Sequence, residues 1–435
     1  MATAEIAVAH PAGAGAIEQV SAAEQVSQWR LMWWRFLQNR LSVAGGIALI
    51  GMYLIALFAD FLAPYSAHEL DTEHSFAAPT RIIFVGLRPA VCPLTQTLDE
   101  ANFKWVYTPD CSLARPIELF VRGHEYRLFG LIKSDRHLFG VTAGPPLAGA
   151  AAKQPLARPE HPPGAARVDD PLAAYRREQR EAAAAGLPGA ATAAAATAQR
   201  ATDKAPKIYL LGADSQGRDL FSRLLEGSRI SLTVGLVGVA LGIIIGSFMG
   251  TASGYMGGAV DNVIQRVIEI IQAMPTLPLW AAFAAALPRN TPVVQRYFLI
   301  SIILSLVSWT GLARQLRGKV LAYRTLDYVA AARLAGCSHL RIILTHMLPN
   351  AASHIIVVAT FAVPGAILGE TALSFLGLGM LPPAVSWGVL LKDAQQIDTV
   401  LLRPWLLIPA IPVIITVTCY QLLGDGLRDA ADPYS

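Results

Sequence analysis

The sequence predicts an all-α integral membrane protein with six transmembrane helices and a large extracytoplasmic insertion between the first and second. Three observations carry this. The 435 residues are 54% hydrophobic and only 15% charged, whereas charged residues make up about a quarter of a soluble domain. The apolar residues fall in blocks of about 20, the length that crosses a hydrocarbon core as a helix. Arginines gather before the first block and between the fourth and fifth, the asymmetry that orients membrane proteins.

Residues 1–29 are Ala-rich and polar, without the apolar core of a cleavable leader. The first block therefore stays as an anchor, after a cytoplasmic segment 1–40. Spans are expected near 41–63, 229–252, 260–287, 296–314, 350–371 and 404–424. Pro275 and Pro278 break the third and Pro364 with Gly365 interrupts the fifth, which neighbouring helices tolerate by satisfying the freed carbonyls. Arg30, Arg35 and Arg40 precede span one. Arg314, Arg317, Lys319, Arg324, Arg333 and Arg341 lie between spans four and five. The positive-inside rule places both groups, and both termini, in the cytoplasm.

The segment 65–228 then lies outside. Its first part, to residue 141, carries aromatics and β-formers, as in "ELFVRGHEYRLFGLI", and is expected to fold. Residues 142–206 are rich in Ala, Pro and Arg and lack side chains able to bury a core, so disorder is expected, as a linker. Residues 207–435 form the core with the other five spans.

Several chemistries are excluded. Net charge is +4 and no basic run is interleaved with aromatics, so nucleic acid is not a partner. The nearest approach to a phosphate loop, "RQLRGKV", has Val320 where a hydroxyl must hold magnesium and Ala313 where the first Gly belongs. H-E-x-x-H and G-x-S-x-G are missing. The chain is not an enzyme by itself and holds no cofactor or metal.

Between spans four and five stands "LDYVAAARLAGCSHLRIILTHMLPN", residues 326–350. It reads as a helix over 326–340, with Asp327 favouring its N-terminal dipole and Gly336 suited to a left-handed cap. Ala330, Ala331, Ala332 and Gly336 let another backbone approach closely, and Arg333 rims them. An ordinary loop helix is the alternative. In span three, Asn262, Gln265, Arg266, Glu269 and Gln272 share one helical face, and Arg266 and Glu269, three apart, can pair. Charges in a span face a cavity or a partner, which makes this face a candidate pathway lining; a buried structural pair is the alternative. Cys92 and Cys111 lie in the external part, where oxidation is permitted. They are a candidate disulfide closing a loop of about 18 residues, with two free thiols as the alternative. Cys337 and Cys419 read as packing residues.

The 326–350 stretch resembles the EAA loop of ABC importer permeases: E-A-A, three residues, Gly, nine residues, then I-x-L-P. Ala330, Ala331, Ala332, Gly336, Leu348 and Pro349 stand in register. Ala330 replaces the Glu and His346 the apolar residue. "LGADSQGRDLFSRLLEGSRISLTVG" (211–235), "GYMGGAVDNVIQR" (254–266), "LSFLGLGMLPPAVSWG" (373–388) and "LLGDGLRDAADP" (422–433) resemble the C-type permease of dipeptide and oligopeptide importers. The likeness covers 208–435 nearly throughout and 30–65 loosely. It implies the type I permease fold in a bacterial inner membrane, a heterodimer with a second permease, two ATPase subunits that hold ATP and magnesium, and an extracytoplasmic solute-binding protein. It also implies that Asp327, Ala330, Ala331, Ala332, Arg333, Gly336, Leu348 and Pro349 couple to an ATPase. A gated channel or membrane receptor with an outer ligand-binding domain is the other reading.

Overall fold

The computed structural model describes residues 28–85, 88–99, 104–128, 130–141 and 206–431. The disorder expected for 142–206 therefore falls almost wholly outside the described residues, as do residues 1–27. Near the start come α1 (Gln28–Gln38), α2 (Arg40–Leu57) and α3 (Ala59–Leu62). Asn39 separates the first two, its side chain accepting from the Ser42 amide at the start of α2. The core follows as α4 (Leu220–Met256), α5 (Gly258–Ala273), α6 (Thr276–Ala285), α7 (Val293–Tyr323), α8 (Asp327–Leu334), α9 (His339–Arg341), α10 (Leu348–Asn350), α11 (Ala352–Phe375), α12 (Trp387–Leu391), α13 (Ile397–Leu402) and α14 (Ala410–Ala431).

Among the described residues five stretches are long and apolar enough to cross a membrane: Arg40–Leu57, Leu220–Met256, Val293–Tyr323, Ala352–Phe375 and Pro404–Ala431. The third expected span is instead the pair α5 and α6, bent by 88°. Only one of its two prolines causes the bend. Pro275 forces Met274 into extended backbone (ψ 139°) and stops α5. Pro278 sits in the first turn of α6, where an N–H has no intrahelical partner to lose. The expectation that Pro364 and Gly365 interrupt span five is corrected: α11 runs unbroken through both. Val363, Pro364, Ala366 and Ile367 are all buried, and that packing holds the helix across one missing hydrogen bond.

The bent pair still recrosses the bundle. Along α4, Gly238, Gly246 and Gly254 meet Ser301, Trp309 and Arg317 of α7 in turn, so these two helices run parallel. A parallel pair requires the chain between them to return to the starting end. Gly242 and Gly250 complete a ladder of small residues at every fourth position. A methyl on Gly246 would stand 2.7 Å from the Trp309 carbonyl oxygen, and one on Gly254 2.8 Å from that of Arg317. This is the close backbone approach that holds helices together where lipid removes the hydrophobic drive. α14 runs antiparallel to α2, with Gly426 against Ser42 and Gly45 against Cys419. α11 runs antiparallel to α4, its buried Glu370 accepting from Ser231 and Ser374 hydroxyls. Leu49, Leu232, Ile367, Trp387 and Tyr420 fill the centre.

The all-α expectation holds for the spans and fails between α3 and α4. There the chain forms β1 (Ile82–Val85), β2 (Arg88–Val91), β3 (Leu94–Asp99), β4 (Lys104–Pro109), β5 (Arg115–Leu128) and β6 (Ile132–Val141). An antiparallel sheet runs β1-β2-β5-β6, beside a separate β3-β4 hairpin. The aromatic and β-branched runs suit a pleated, half-buried surface better than a helix. Cys92 and Cys111 are bonded, their Cα atoms 4.5 Å apart. The sheet sits on the ends of α3 and α4: buried His137 places Nδ1 3.0 Å from the Asp60 carbonyl, and Phe139 meets Phe221.

Candidate functional site

The segment 326–350 caps the bundle end where α4 and α7 finish. Leu326 is extended, α8 begins at Asp327, and that exposed carboxylate lies in the first turn, where the dipole favours it. The helix ends six residues earlier than the expected 340. The Cys337 amide donates to the Ala332 carbonyl (3.1 Å) and the Gly336 amide to that of Arg333 (3.0 Å), with Gly336 at φ +74°. This pair of bonds closes a helix on a left-handed residue, a conformation Gly adopts without strain. The chain restarts at Ser338, whose hydroxyl oxygen accepts from the Arg341 amide (3.4 Å). A π-helical turn at 342–347 leads into α10, where Pro349 occupies the first turn and Leu348 is half-buried. Such turns are rare and concentrate at functional places.

One side of this unit is locked to the protein. Val329 and Ala332 are buried against Tyr255, Val320, Ile342, Ile343 and Met347. Tyr255 is the last turn of α4, and its hydroxyl serves two elements. It accepts from Arg333 Nε at 3.3 Å and lies 3.2 Å from His339 Nδ1. The Arg333 guanidinium also stands 4.9 Å from the Tyr255 ring centroid, within cation–π range. The other side is open: Asp327, Ala330, Ala331 and Gly336 are exposed, and Leu334 is 90% exposed. Of the small residues read from sequence as a contact surface, Ala331 and Gly336 face out while Ala332 faces the chain's own core. Tyr255, His339 and Leu334 were missed by that reading. The signal for Leu334 was available: a large apolar side chain just past the alanine run and Arg333, off the face that Val329 and Ala332 share.

The polar face of α5 divides. Ile264 and Ile268 pack on Trp309 and Ala313. Beside them Arg317 donates through Nε and Nη2 to the two Asp261 oxygens, at 2.6 and 2.7 Å. Gln265 donates to the Ser253 hydroxyl oxygen and Gln272 to that of Thr310, each at 3.1 Å. These three tie α5 to α4 and α7. Arg266 and Glu269 do pair, at 2.9 Å, but with side chains 81% and 53% exposed, and Asn262 is exposed as well. The pair is therefore not buried among the described residues, and the face free for a pathway or a partner is Asn262, Arg266 and Glu269.

Among the described residues no group of His, Cys, Asp or Glu is arranged to hold a metal. A short helix, its inner face held by three elements, presents a shallow and largely apolar outer face at the bundle's end.

Two family models match the chain. Residues 238–433 match the binding-protein-dependent transport system inner membrane component, and residues 27–79 match the N-terminal TM domain of oligopeptide transport permease C. The oligopeptide transport system permease protein OppC of Haemophilus influenzae is 42% identical over 227 residues, 52% of this chain and 70% of that protein. The di/tripeptide transport system permease protein DppC of Pseudomonas aeruginosa is 38% identical over 52% of this chain and 72% of its own length. OppC of Bacillus subtilis is 37% identical over 53% and 74%. With these matches the chain belongs to the inner-membrane permease components of binding-protein-dependent transport systems, in the oligopeptide permease C family.

Proposed function

We propose that this permease subunit pairs with a second permease to form the pathway of an ATP-driven importer, and that α8 receives the stroke of an ATPase subunit. The observation that carries the reading is the pairing of an open face, small at Ala330, Ala331 and Gly336 and apolar at Leu334, with a locked inner face on Val329, Ala332 and Tyr255. A lever must be held at one side and free at the other. Two ATPases inside and a solute-binding protein outside complete the assembly, and peptides are the solute class its relatives' names suggest. Both arginine groups, 30–40 and 314–341, lie at the α8 end of the bundle, which supports a cytoplasmic α8, cytoplasmic termini and an extracytoplasmic β unit. Asn262, Arg266 and Glu269 are proposed to line the pathway or meet the second permease at the same end.

The test is ATPase retention and solute-stimulated hydrolysis in purified complex. Leu334→Asp places a charge on the open face without touching the buried one, so the ATPase should be lost while the permease still inserts. Gly336→Val strains a left-handed backbone at no cost in space, since no atom lies within 4 Å of the added carbon. It should keep the ATPase but lower coupling. Normal retention and coupling in both variants would remove α8 from the role.

A further inference from the structure

The hairpin between β5 and β6 carries the stretch RLFGLIK, residues 127–133: a cation, apolar residues about a glycine, and a cation. Its register sets Arg127 directly opposite Lys133 and Leu128 opposite Ile132. Like charges facing one another across a strand pair work against the pairing. Neither Arg127 nor Lys133 has an ion-pair partner among the described residues. A second like-charged pair, Arg122 opposite Arg136, lies further along the same hairpin, where Asp135 stands 3.9 Å from Arg122. The described apolar residues of the tip are exposed. Leu131 is 85% exposed and Ile132 59%, in a turn made by Gly130 at φ +73°. A hairpin that ended in water would gain nothing from either feature.

Its position supplies the explanation. Arg127 and Gly130 line a cleft of about 240 Å³ with Leu57, Asp60 and Arg229. Leu57 is the last residue of the 18-residue apolar stretch of α2. Arg229 marks the same level, donating to the Ala56 and Leu57 carbonyls and to the Asp60 carboxylate. The hairpin tip therefore stands where the hydrocarbon crossing of α2 stops and the headgroup layer begins. Below it, Ile47, Ile50 and Leu54 of α2 are exposed and continue the apolar surface into the span.

We propose that the β5–β6 tip is a membrane anchor: Leu131 and Ile132 enter the headgroup–acyl boundary of the adjoining leaflet, and Arg127 and Lys133 bind the phosphates of anionic phospholipids. The occupant is lipid because the tip adjoins the end of a span and the stretch 127–133 carries two cations and no acid. Apolar tips flanked by cations are the composition that settles at such a boundary. Anionic headgroups between Arg127 and Lys133 also relieve their cross-strand repulsion. The anchor would hold the β unit at a fixed height above the membrane whatever solute the importer carries. It rests on the proposed orientation only for calling that leaflet the outer one.

The experiment uses the full chain, purified with the subunits that accompany it and placed in phosphatidylcholine nanodiscs with or without phosphatidylglycerol. Cys337 and Cys419 are replaced by Ala, and a nitroxide is attached at Leu131→Cys, at Ile132→Cys and, away from the tip, at Glu118→Cys. Collisions with oxygen relative to a water-soluble nickel chelate should be far higher at 131 and 132 than at 118, and should rise with phosphatidylglycerol. Removing one cation, by Arg127→Ser or Lys133→Ser, should lower the local preference for phosphatidylglycerol roughly fivefold. Labels at 131 and 132 as open to nickel as that at 118 would put the tip in water. Labels shielded from both probes would put it under a partner protein. Either result overturns the anchor and leaves the coupling role of α8 untouched.

Discussion

α4 and α7 meet through five glycines spaced four apart, whereas α5 meets the same two helices through side-chain ties and α6 turns away from it at 88°. The first joint is closed, its backbones in contact and most of its surface spent within the chain. The second is half open: Ile264 and Ile268 face inward, while Val263, Arg266, Val267, Glu269 and Ile270 are exposed among the described residues. The difference separates what a permease subunit completes alone from what it leaves to others. Close packing fixes the frame that carries α8, and the exposed, partly charged face of α5 stands where a pathway or second subunit is proposed.

The contrast can be broken most severely at the ladder. Gly250→Leu drives a side chain into the Ala313 backbone and should cost about 3 kcal/mol or more, read as a large drop in detergent melting temperature and loss of the monodisperse peak on gel filtration. Gly311→Leu, in the same bundle but with no atom within 4 Å of its Cβ position, should stay within about 1 kcal/mol of the parent. Equal losses from both would mean that glycine on these helices serves something other than approach.

A moderate effect belongs to the polar tie. Arg317→Gln removes two charge-assisted bonds from Asp261 and should lower stability by about 1 kcal/mol. Arg317→Lys should recover only part of that, because an ammonium lacks the forked geometry. Full recovery by Lys in the same melting assay would reduce the tie to simple charge.

The smallest effect is expected at Arg266 and Glu269. With both side chains exposed, each alanine change and the double change should shift stability by less than about 0.5 kcal/mol. Transport should change more than stability if the pair faces the pathway. A destabilisation of the single Glu269→Ala that the double variant repairs would show the pair buried by a partner.

The crossings were legible because a bilayer demands long apolar runs and α2, α4, α7, α11 and α14 supply them. The bends were not, since a proline acts through what its missing N–H was needed for. Pro275 follows an extended residue, Pro278 sits where no bond was due, and Pro364 is carried by its neighbours. The cap at Gly336 could be read from one residue, but the facing of Ala332 could not, because alanine suits a buried face and a docking face equally. The glycine period of four was present in the sequence and passed over. The β unit was visible as aromatic and β-branched runs, yet an apolar composition dominated by helices hid its class.

The two ends of the β-bearing segment lie side by side. The Thr80 amide donates to the Tyr209 carbonyl (2.9 Å) and that of Ala213 to the Ala77 carbonyl (2.8 Å). Tyr209 and His74 both bond the Asp71 carboxylate, with Lys207 beside it. The chain thus leaves the helical core near Thr80 and rejoins it near Tyr209 at one socket. Closing a loop costs little more as it lengthens, so such a socket accepts cargo of almost any size. In engineering terms it is a ready cloning site: a fluorescent protein or an affinity domain whose termini are close together can be spliced there, displayed on the face opposite α8, without asking any membrane helix to move.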